Sequence, residues 1–244
     1  MTRGTLYLPS GTSSSDIIGG GTSGLAILYP GTRTVLKISH GDPDEDARCE
    51  LEAQIYDLLS KSQLARPSSL LEYKGRSSCG RGILLGYAEN HTVRRYLRSH
   101  GTQPPDTTVI HRWANQAALA LHFLHMNGIS HGDVTCDNFF LDKDLNVQLG
   151  DFTIRANHRF PGPLLSTDAD IFSLGSAHYT IMTGKLPYQD LSEKEITALF
   201  KEGRFPETDT LGPFGAIIRK CWQVKYKSVV DVYKDIEGMI LRLD

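Results

Sequence analysis

The sequence predicts an α+β protein of two lobes, in which a small β-rich first lobe with one helix precedes a larger, mainly helical second lobe. Three observations support this architecture. Short β-branched or apolar runs separated by glycine fill the first third of the chain, one helical pattern interrupts them, and helical spacing of apolar residues dominates after His91. A cleft between two such lobes is a natural site for a small ligand.

Four runs in the first lobe are predicted strands, and they begin at Asp16, Leu25, Thr34 and Gly82. Between the third and fourth runs, the acidic residues from Asp42 onward favour a helix start, because carboxylates stabilise the first turn of a helix. One helix is then predicted over Ala47 to Leu59, where the apolar residues at helical spacing are Leu51, Ile55, Leu58 and Leu59.

Helical patterns fill the second lobe. The first of them ends near Asn127 and Gly128, and its apolar face consists of Trp113, Ala117, Leu121 and Leu124. The later ones cover Asp170 to Met182, Glu193 to Glu202, Phe214 to Trp222 and Val229 to Leu243.

We expect His122 and His125 to be surface or half-buried, since no carboxylate lies near them in sequence. We expect Arg94, Arg95 and Arg98 to form a solvated helix face.

Composition restricts the partners of this chain. Its 244 residues carry 26 Lys and Arg against 28 Asp and Glu, a net charge of −2, so no global basic field exists to hold nucleic acid or an anionic membrane. The four cysteines are too scattered for a disulfide framework or a zinc site. Neither a signal peptide nor an apolar run long enough to cross a membrane is visible. We therefore expect an intracellular, cytoplasmic monomer.

A glycine-rich stretch from Ile18 to Gly24 has the G-x-G-x-x-G spacing at Gly19, Gly21 and Gly24. Glycine lets backbone N–H groups approach phosphate oxygens closely, but the same residues also suit a plain hairpin turn, and both interpretations stay open. A strand follows instead of a helix. That order argues against a dinucleotide-binding fold, which places a helix N-terminus at this point.

Lys37 stands within the third predicted strand. An isolated strand lysine points to solvent by default, whereas a lysine that faces the cleft needs a carboxylate to neutralise and orient it. Glu50 and Glu52 on the following helix are the two candidates. Glu52 is favoured, because it shares a helix face with Tyr56 and Leu59, which turn toward the core of the lobe.

Four polar residues between positions 131 and 151 carry the strongest chemical signal. Asp133 suits a proton acceptor for a hydroxyl, while Asn138 and Asp151 offer the hard oxygen ligands that Mg²⁺ prefers. Any one of these, or His131, is by itself an ordinary turn or cap residue. Four such residues at the right spacing make the interpretation as mere turn or cap residues a poor one.

These motifs resemble the eukaryotic protein kinase family. The stretch from His131 to Asn138 is similar to the catalytic loop H-R-D-L-x-x-x-N, and Asp151 to Thr153 is similar to D-F-G with its last residue changed. The resemblance covers nearly the whole chain, which implies one protein-kinase-like domain over 1–244, with a first lobe over 1–85, a hinge over 86–90 and a second lobe over 91–244. Other matching positions are Lys37, Leu85 before the hinge, the helix from Asp170 to Gly175, and Cys221 with Trp222.

The resemblance implies a role for each candidate residue. ATP would bind among Ile18, Gly19, Gly21, Gly24, Lys37, Leu85, Tyr87 and Ala88. Lys37 would contact its phosphates and pair with Glu52, Asn138 and Asp151 would hold Mg²⁺, and Asp133 would take the proton of the acceptor hydroxyl. The implied reaction transfers the γ-phosphoryl group of ATP to a serine or threonine hydroxyl of a protein.

Several positions depart from the family pattern and keep two alternatives open. Gly132 and Thr135 replace an arginine and a lysine of the catalytic loop, Thr153 replaces a glycine, and Asp170 follows Asp151 by only 19 positions. Thr135, Thr153 and the shortened segment favour a pseudokinase that acts as a nucleotide-dependent binding or scaffold protein. A small-molecule phosphotransferase of the aminoglycoside or choline type is less favoured. Because Gly132 and the short segment leave little to capture a phosphate, we expect activity without phosphorylation there.

Overall fold

Five short strands of the first lobe form one antiparallel sheet in the order β1-β2-β3-β5-β4. The computed structural model describes residues 8–21, 24–78, 80–101, 105–152 and 159–242. The strands are β1 (Ile17–Gly21), β2 (Gly24–Leu28), β3 (Thr34–Ile38), β4 (Tyr73–Arg76) and β5 (Ile83–Gly86). The sequence pattern missed β4, whose glycine and two basic residues lack the apolar run by which strands are recognised.

Helix α1 (Pro43–Ser60) lies between β3 and β4 in the chain. The Asp42 side chain caps it by accepting hydrogen bonds from the backbone of Asp44 and Glu45, and Pro43 occupies the first turn, where no N–H partner is lost. Its buried residues are Glu52, Ala53, Tyr56 and Leu59. The expected apolar stripe is therefore partly wrong: Leu51 and Leu58 are 38% and 50% exposed, because the packed face is rotated toward the side that carries Glu52.

Among the residues that the structure describes, the second lobe consists of six α-helices, one short 3-10 helix (Asp209–Leu211) and one small hairpin. The helices are α2 (Val93–His100), α3 (Thr107–Met126), α4 (Thr167–Thr183), α5 (Glu193–Lys201), α6 (Gly212–Trp222) and α7 (Val229–Ile240). Strands β6 (Phe139–Leu141) and β7 (Val147–Leu149) pair antiparallel and carry the loops that precede and follow them. Helix α4 is buried along most of its length, so it serves as the central support of this lobe.

The main hydrophobic core runs from the inner face of α1 through β5 to α3, α4, α6 and α7. Trp113, fully buried on α3, donates its indole N–H to the Leu145 carbonyl at 2.7 Å. Gly175 allows α4 and α6 to cross closely, because a Cβ at this position would lie 2.7 Å from the Cβ of Cys221. A second, small cluster of Leu25, Ile27, Leu36 and Ile38 covers the other face of the sheet.

The predicted α+β architecture of two lobes is confirmed. Helices appear at each second-lobe pattern that the sequence showed, with ends that differ by a few residues.

The expectation of a wholly solvated arginine face on α2 is wrong. Arg95 and Arg98 are exposed, but Arg94 is 8% exposed and its side chain reaches Asp137. Within the described ranges, every helix is too short or too polar to cross a membrane.

Candidate active site

A cavity of about 340 Å³ lies between the sheet of the first lobe and the β6–β7 region of the second. Ten residues proposed from sequence line it, and they are Ile18, Gly19, Gly21, Gly24, Lys37, Glu52, Leu85, Tyr87, Ala88 and Asp151. Its apolar walls also include Val35 and Phe140. An apolar slot with a few convergent polar groups at one end is typical of a site for a small organic ligand.

The glycine-rich stretch forms the β1–β2 hairpin above this cavity, so the hairpin interpretation and the ligand-cradle interpretation describe the same residues. Gly24 is in the left-handed region at φ 110°, and a Cβ there would lie 2.2 Å from the carbonyl oxygen of Ile38. Only glycine fits this position. Thr22 and Ser23 lie outside the described residues.

The connector between the lobes is held by backbone hydrogen bonds on both sides. Gly86 donates its N–H to the Glu72 carbonyl at 2.8 Å, and Tyr87 donates to the Arg33 carbonyl at 3.2 Å. The Ala88 carbonyl accepts from the N–H of His91 at 3.2 Å. These bonds hold the buried side chains of Leu85 and Ala88 at the edge of the cavity.

Lys37 joins two carboxylates at the inner end of the cavity. Its Nζ lies 2.7 Å from Glu52 Oε2 and 2.8 Å from Asp151 Oδ1, and all three side chains are largely buried. Burial alone would lower the pKa of Lys37, but the two carboxylates outweigh it and raise the pKa above its ordinary value. The structure therefore places Glu52 against Lys37, whereas Glu50 pairs with Arg76 on another face of α1.

Asp151 adopts a left-handed backbone conformation at φ 61°, which aspartate tolerates better than most residues. Directly before it, the Gly150 N–H donates to the Asn138 carbonyl at 3.1 Å. Directly after it, the Phe152 N–H donates to Glu52 Oε1 at 3.3 Å. The Asp151 carboxylate is thus positioned by contacts to both lobes. Thr153, the altered third residue of the motif, lies outside the described residues.

Asp133 and Asn138 are held together in the loop before β6. The Asn138 side-chain amide donates to the Asp133 carbonyl at 2.8 Å and to its carboxylate Oδ2 at 3.0 Å. With the Nδ2 group used in this way, the amide oxygen of Asn138 is its remaining polar atom. Asp133 lines a second cavity of about 380 Å³ together with Thr135, and Asp137 lines both cavities, so the two adjoin.

One buried carboxylate on α4 supports this loop. Asp170, 1% exposed, accepts the backbone N–H groups of His131 and Gly132, each at 2.8 Å. Its Oδ2 also lies 2.9 Å from Nε2 of His125, so the expectation that His125 has no carboxylate neighbour is wrong. The two residues are 45 positions apart, and only the crossing of α3 and α4 brings them together.

Four rings form a continuous column behind the site. Tyr73 stacks on Tyr56 with centroids 5.0 Å apart, Tyr56 meets Phe152 edge-on at 4.7 Å, and Phe152 meets His131 edge-on at 5.4 Å. The N–H of Asp133 donates to Nδ1 of His131, whose Nε2 lies 3.2 Å from the Gly150 carbonyl. Sequence reasoning did not assign Tyr56 or Tyr73 a functional position, since no local pattern distinguishes them from ordinary packing residues.

The donor set suits a hard divalent cation. Asn138 and Asp151 supply amide and carboxylate oxygens, the ligands that Mg²⁺ prefers. Within the described ranges, no group of three or more His, Cys, Asp and Glu residues forms a metal site. A cation held here would therefore take its remaining ligands from water and from phosphate, as Mg²⁺ commonly does.

A family model described as "Protein kinase domain" matches residues 15–159, more than half of the chain. The chain belongs to the protein kinase family. Its two-lobed α+β architecture is the protein kinase fold, and the resemblance in its catalytic-loop motifs is confirmed at the level of the family.

Curated relatives agree with this assignment. "Mitogen-activated protein kinase kinase kinase 1" of Arabidopsis thaliana is 27% identical over 217 residues, which cover 79% of this chain and 34% of the relative. "Serine/threonine-protein kinase Nek3" of Oryza sativa subsp. japonica is 34% identical over 109 residues, 43% of this chain and 18% of the relative. The matches thus span about a third or less of these longer relatives.

Proposed function

We propose that this kinase domain transfers the γ-phosphoryl group of ATP to a serine or threonine hydroxyl of a protein. One observation carries the proposal: the Asp133 carboxylate, held by Asn138, lines one of two adjoining cavities, and the other cavity ends at the Lys37, Glu52 and Asp151 cluster. One side then takes nucleotide and the other takes acceptor. The two relatives described above are both named as protein kinases.

The nucleotide would lie in the cavity between the lobes. Its base fits between the apolar side chains of Ile18, Leu85 and Ala88, next to the connector at Tyr87. Its phosphates would pass under the β1–β2 hairpin, where Gly19, Gly21 and Gly24 let the backbone approach an anion closely. The hairpin therefore contributes N–H groups and space rather than side chains.

Lys37 would contact the phosphates with a charge that Glu52 and Asp151 keep in place. Asn138 and Asp151 would hold Mg²⁺, which supplies positive charge to the phosphates when bound. Asp133 accepts an N–H from Asn138 through one carboxylate oxygen, and this contact orients the carboxylate toward an acceptor hydroxyl in the second cavity. Asp133 takes the proton of that hydroxyl as the phosphoryl group transfers.

Three features, two of the segment after Asp151 and one of the loop that contains Gly132, support activity that does not depend on phosphorylation of that segment. The segment reaches Asp170 within 19 residues, and Gly132 has no side chain to receive a phosphate. Its hydroxyl at Ser166 already caps α4 by accepting the N–H of Ala169 at 3.1 Å. We propose one domain over 1–244 with lobes at 1–85 and 91–244.

A pseudokinase that binds nucleotide without transfer is the second candidate, and Thr135 favours it. Thr135 lines the acceptor cavity at the position where the family resemblance implies a lysine. The arginines of that cavity, Arg94 and Arg159, are engaged with Asp137 and Glu193. Less positive charge then faces the transferring group, which slows the reaction.

A phosphotransfer assay separates these candidates. Wild-type protein, Asp133→Ala and the matched control Asp144→Ala are compared over a broad panel of protein and peptide acceptors, with MgATP binding measured by calorimetry. Asp144 is an exposed carboxylate in the β6–β7 turn. We expect Asp133→Ala to lose at least about a hundredfold in turnover and to keep its nucleotide affinity, since the base contributes mainly to the chemical step. Equal background transfer by all three proteins, with MgATP bound, would support the pseudokinase.

A further inference from the structure

Helix α1 is held to the sheet by a charged contact whose residues do not line the cavity between the lobes. Arg76, the last residue of β4, donates two hydrogen bonds to the Glu50 carboxylate at 2.7 and 2.9 Å. It donates a third from Nε to Asp57 Oδ2 at 2.8 Å. The Tyr73 hydroxyl, from the same strand, donates to Asp57 Oδ1 at 2.5 Å. We call these four residues, Glu50, Asp57, Tyr73 and Arg76, the α1–β4 clamp.

The clamp spans two turns of α1. Glu50 and Asp57 are seven residues apart, which corresponds to about 10 Å along a helix axis. Because one guanidinium contacts both carboxylates, a slide or a rotation of α1 must break at least one of its hydrogen bonds. A planar fork that binds one carboxylate in two places and a second at its side is the geometry in which exposed ion pairs contribute most.

Glu52 lies on α1 between the two clamped carboxylates, on the face that turns toward Lys37. The end of a helix side chain lies about 5 to 6 Å from the axis, so a rotation of about 30° moves it by about 3 Å. Such a movement separates Glu52 from Lys37, whose atoms are now 2.7 Å apart, and also from the Phe152 N–H. The rotational position of α1 thus decides whether the Lys37 cluster is assembled.

The packing of α1 is one-sided. The buried side chains of α1 are Glu52, Ala53, Tyr56 and Leu59, while Leu51 and Leu58 on the other side remain exposed. The Tyr56 ring stacks on Tyr73 at an interplanar angle of 16° and meets Phe152 edge-on. The clamp adds directional hydrogen bonds to this one-sided packing.

We propose that Arg76 is a positioning residue for the reaction, which sets the rotation of α1 through Glu50 and Asp57 and so keeps Glu52 on Lys37. This inference rests on the proposed function for its effect on turnover. Its structural part concerns only the Lys37–Glu52 contact. Disruption of the clamp frees Glu52 to move away, and Lys37 then loses one of the two carboxylates that orient its ammonium group and cover it from solvent.

The test measures Lys37 directly, without phosphotransfer. Trinitrobenzenesulfonate labels unprotonated amines, and mass spectrometry of the peptide that contains Lys37 gives its labelling rate. Glu52→Gln sets the rate for a lost contact. Arg219→Ala is the matched control, because Arg219 is similarly exposed and also contacts two carboxylates, Glu207 and Asp209, away from the site.

We expect Arg76→Ala to label Lys37 about fivefold faster than wild type, the scale set by exposed ion pairs, and Arg76→Lys to fall between them. Turnover should fall by a similar factor while the KM for the protein acceptor stays unchanged. The double variant Glu50→Gln/Asp57→Asn keeps Arg76 and should behave like Arg76→Ala, which provides a second route if Arg76→Ala fails to fold.

Wild-type labelling of Lys37 in the folded clamp variants, or an equal increase in Arg219→Ala, would overturn the proposal. A wild-type protein that transfers no phosphate contradicts the proposed function alone. In that case the labelling rates of the variants still decide whether the clamp positions Glu52.

Discussion

The two halves of the candidate active site are held in different ways. In the second lobe, Asp170 is sealed inside the core and binds the backbone of the catalytic loop at His131 and Gly132. In the first lobe, Glu52 is buried, but the helix that carries it is held on its outer side by the half-exposed charges of the α1–β4 clamp. The loop is therefore built into the core, whereas the Lys37 cluster depends on the position of one helix.

This difference concerns the partners of each carboxylate. Asp170 binds backbone groups whose positions the fold already determines, and solvent does not reach these bonds. Glu52 accepts one backbone N–H, that of Phe152 at 3.3 Å, and its other partner is the long, flexible side chain of Lys37. Changes in the second lobe should then cost stability, and changes in the first lobe should cost activity first. The four predictions below test that distinction, from the largest expected effect to the smallest.

Asp170→Ala should give the largest loss. It leaves two buried N–H groups and His125 without their acceptor, so we expect about 3–5 kcal/mol less stability and no measurable transfer. Urea unfolding gives the stability. Asp168→Ala is the control, because this exposed carboxylate lies in the same first turn of α4 and should cost less than about 1 kcal/mol. Equal losses of stability in both variants would show that the buried contacts of Asp170 do not stabilise the loop more than an exposed carboxylate does.

The pH dependence of stability tests how tightly the second-lobe core is sealed. His178 on α4 is fully buried against Phe214, and burial lowers its pKa from 6.5 to about 4. Below pH 6.5 the unfolded chain binds a proton at this histidine while the native chain does not. Stability should therefore fall by about 1.4 kcal/mol per pH unit between pH 6.5 and 4, about 3 kcal/mol in total.

The measurement compares wild type with His178→Leu by urea unfolding across that pH range. The difference between the two free energies of unfolding isolates His178 from the other titrating groups. A difference that does not change with pH would mean that His178 is hydrated or protonated in the native protein, and that the core is less sealed than the comparison requires.

Glu52→Gln tests the first lobe. It removes one charge beside Lys37 but keeps the size of the side chain, so turnover should fall by about a hundredfold, equivalent to about 2.7 kcal/mol in the barrier. The free energy of unfolding should change by less than about 1 kcal/mol, because Lys37 keeps its contact to Asp151 at 2.8 Å. Steady-state kinetics and urea unfolding decide. A variant that unfolds as readily as Asp170→Ala would remove the distinction between the lobes.

Tyr56→Phe should have the smallest effect. The Tyr56 hydroxyl is buried with no hydrogen-bond partner in the structure, so its removal should leave stability unchanged or raise it by less than about 1 kcal/mol. The ring contacts to Tyr73 and Phe152 remain. A substantial loss of stability or of turnover would show that the hydroxyl forms a hydrogen bond with a group near Glu52. The four rings would then contribute through this polar contact as well as through ring packing.

Local patterns were enough for much of the fold and for the residues of the motifs. Alternation and helical spacing predicted β2, β3, β5 and the helices from α3 to α7, since burial on one face imposes those periods directly. Several residues that line the cavity between the lobes could be identified from the sequence for a related reason. A glycine hairpin, a strand lysine and a loop with Asp133 and Asn138 each require particular residue types within a short stretch of chain. Such motifs can therefore be recognised from neighbouring positions in the sequence.

Only the tertiary structure decided which of these residues depend on which supports. His125 meets Asp170 across 45 positions, Tyr73 stacks behind Tyr56, Arg76 holds Glu50 and Asp57, and Arg94 is buried. Helical spacing likewise predicted α1 but not its packed face, because Leu51 and Leu58 fit the period and lie outside. Periodicity shows that a helix or strand has an apolar face and a polar face. The partner of a residue is determined by how helices and strands cross, which depends on contacts between segments far apart in the chain.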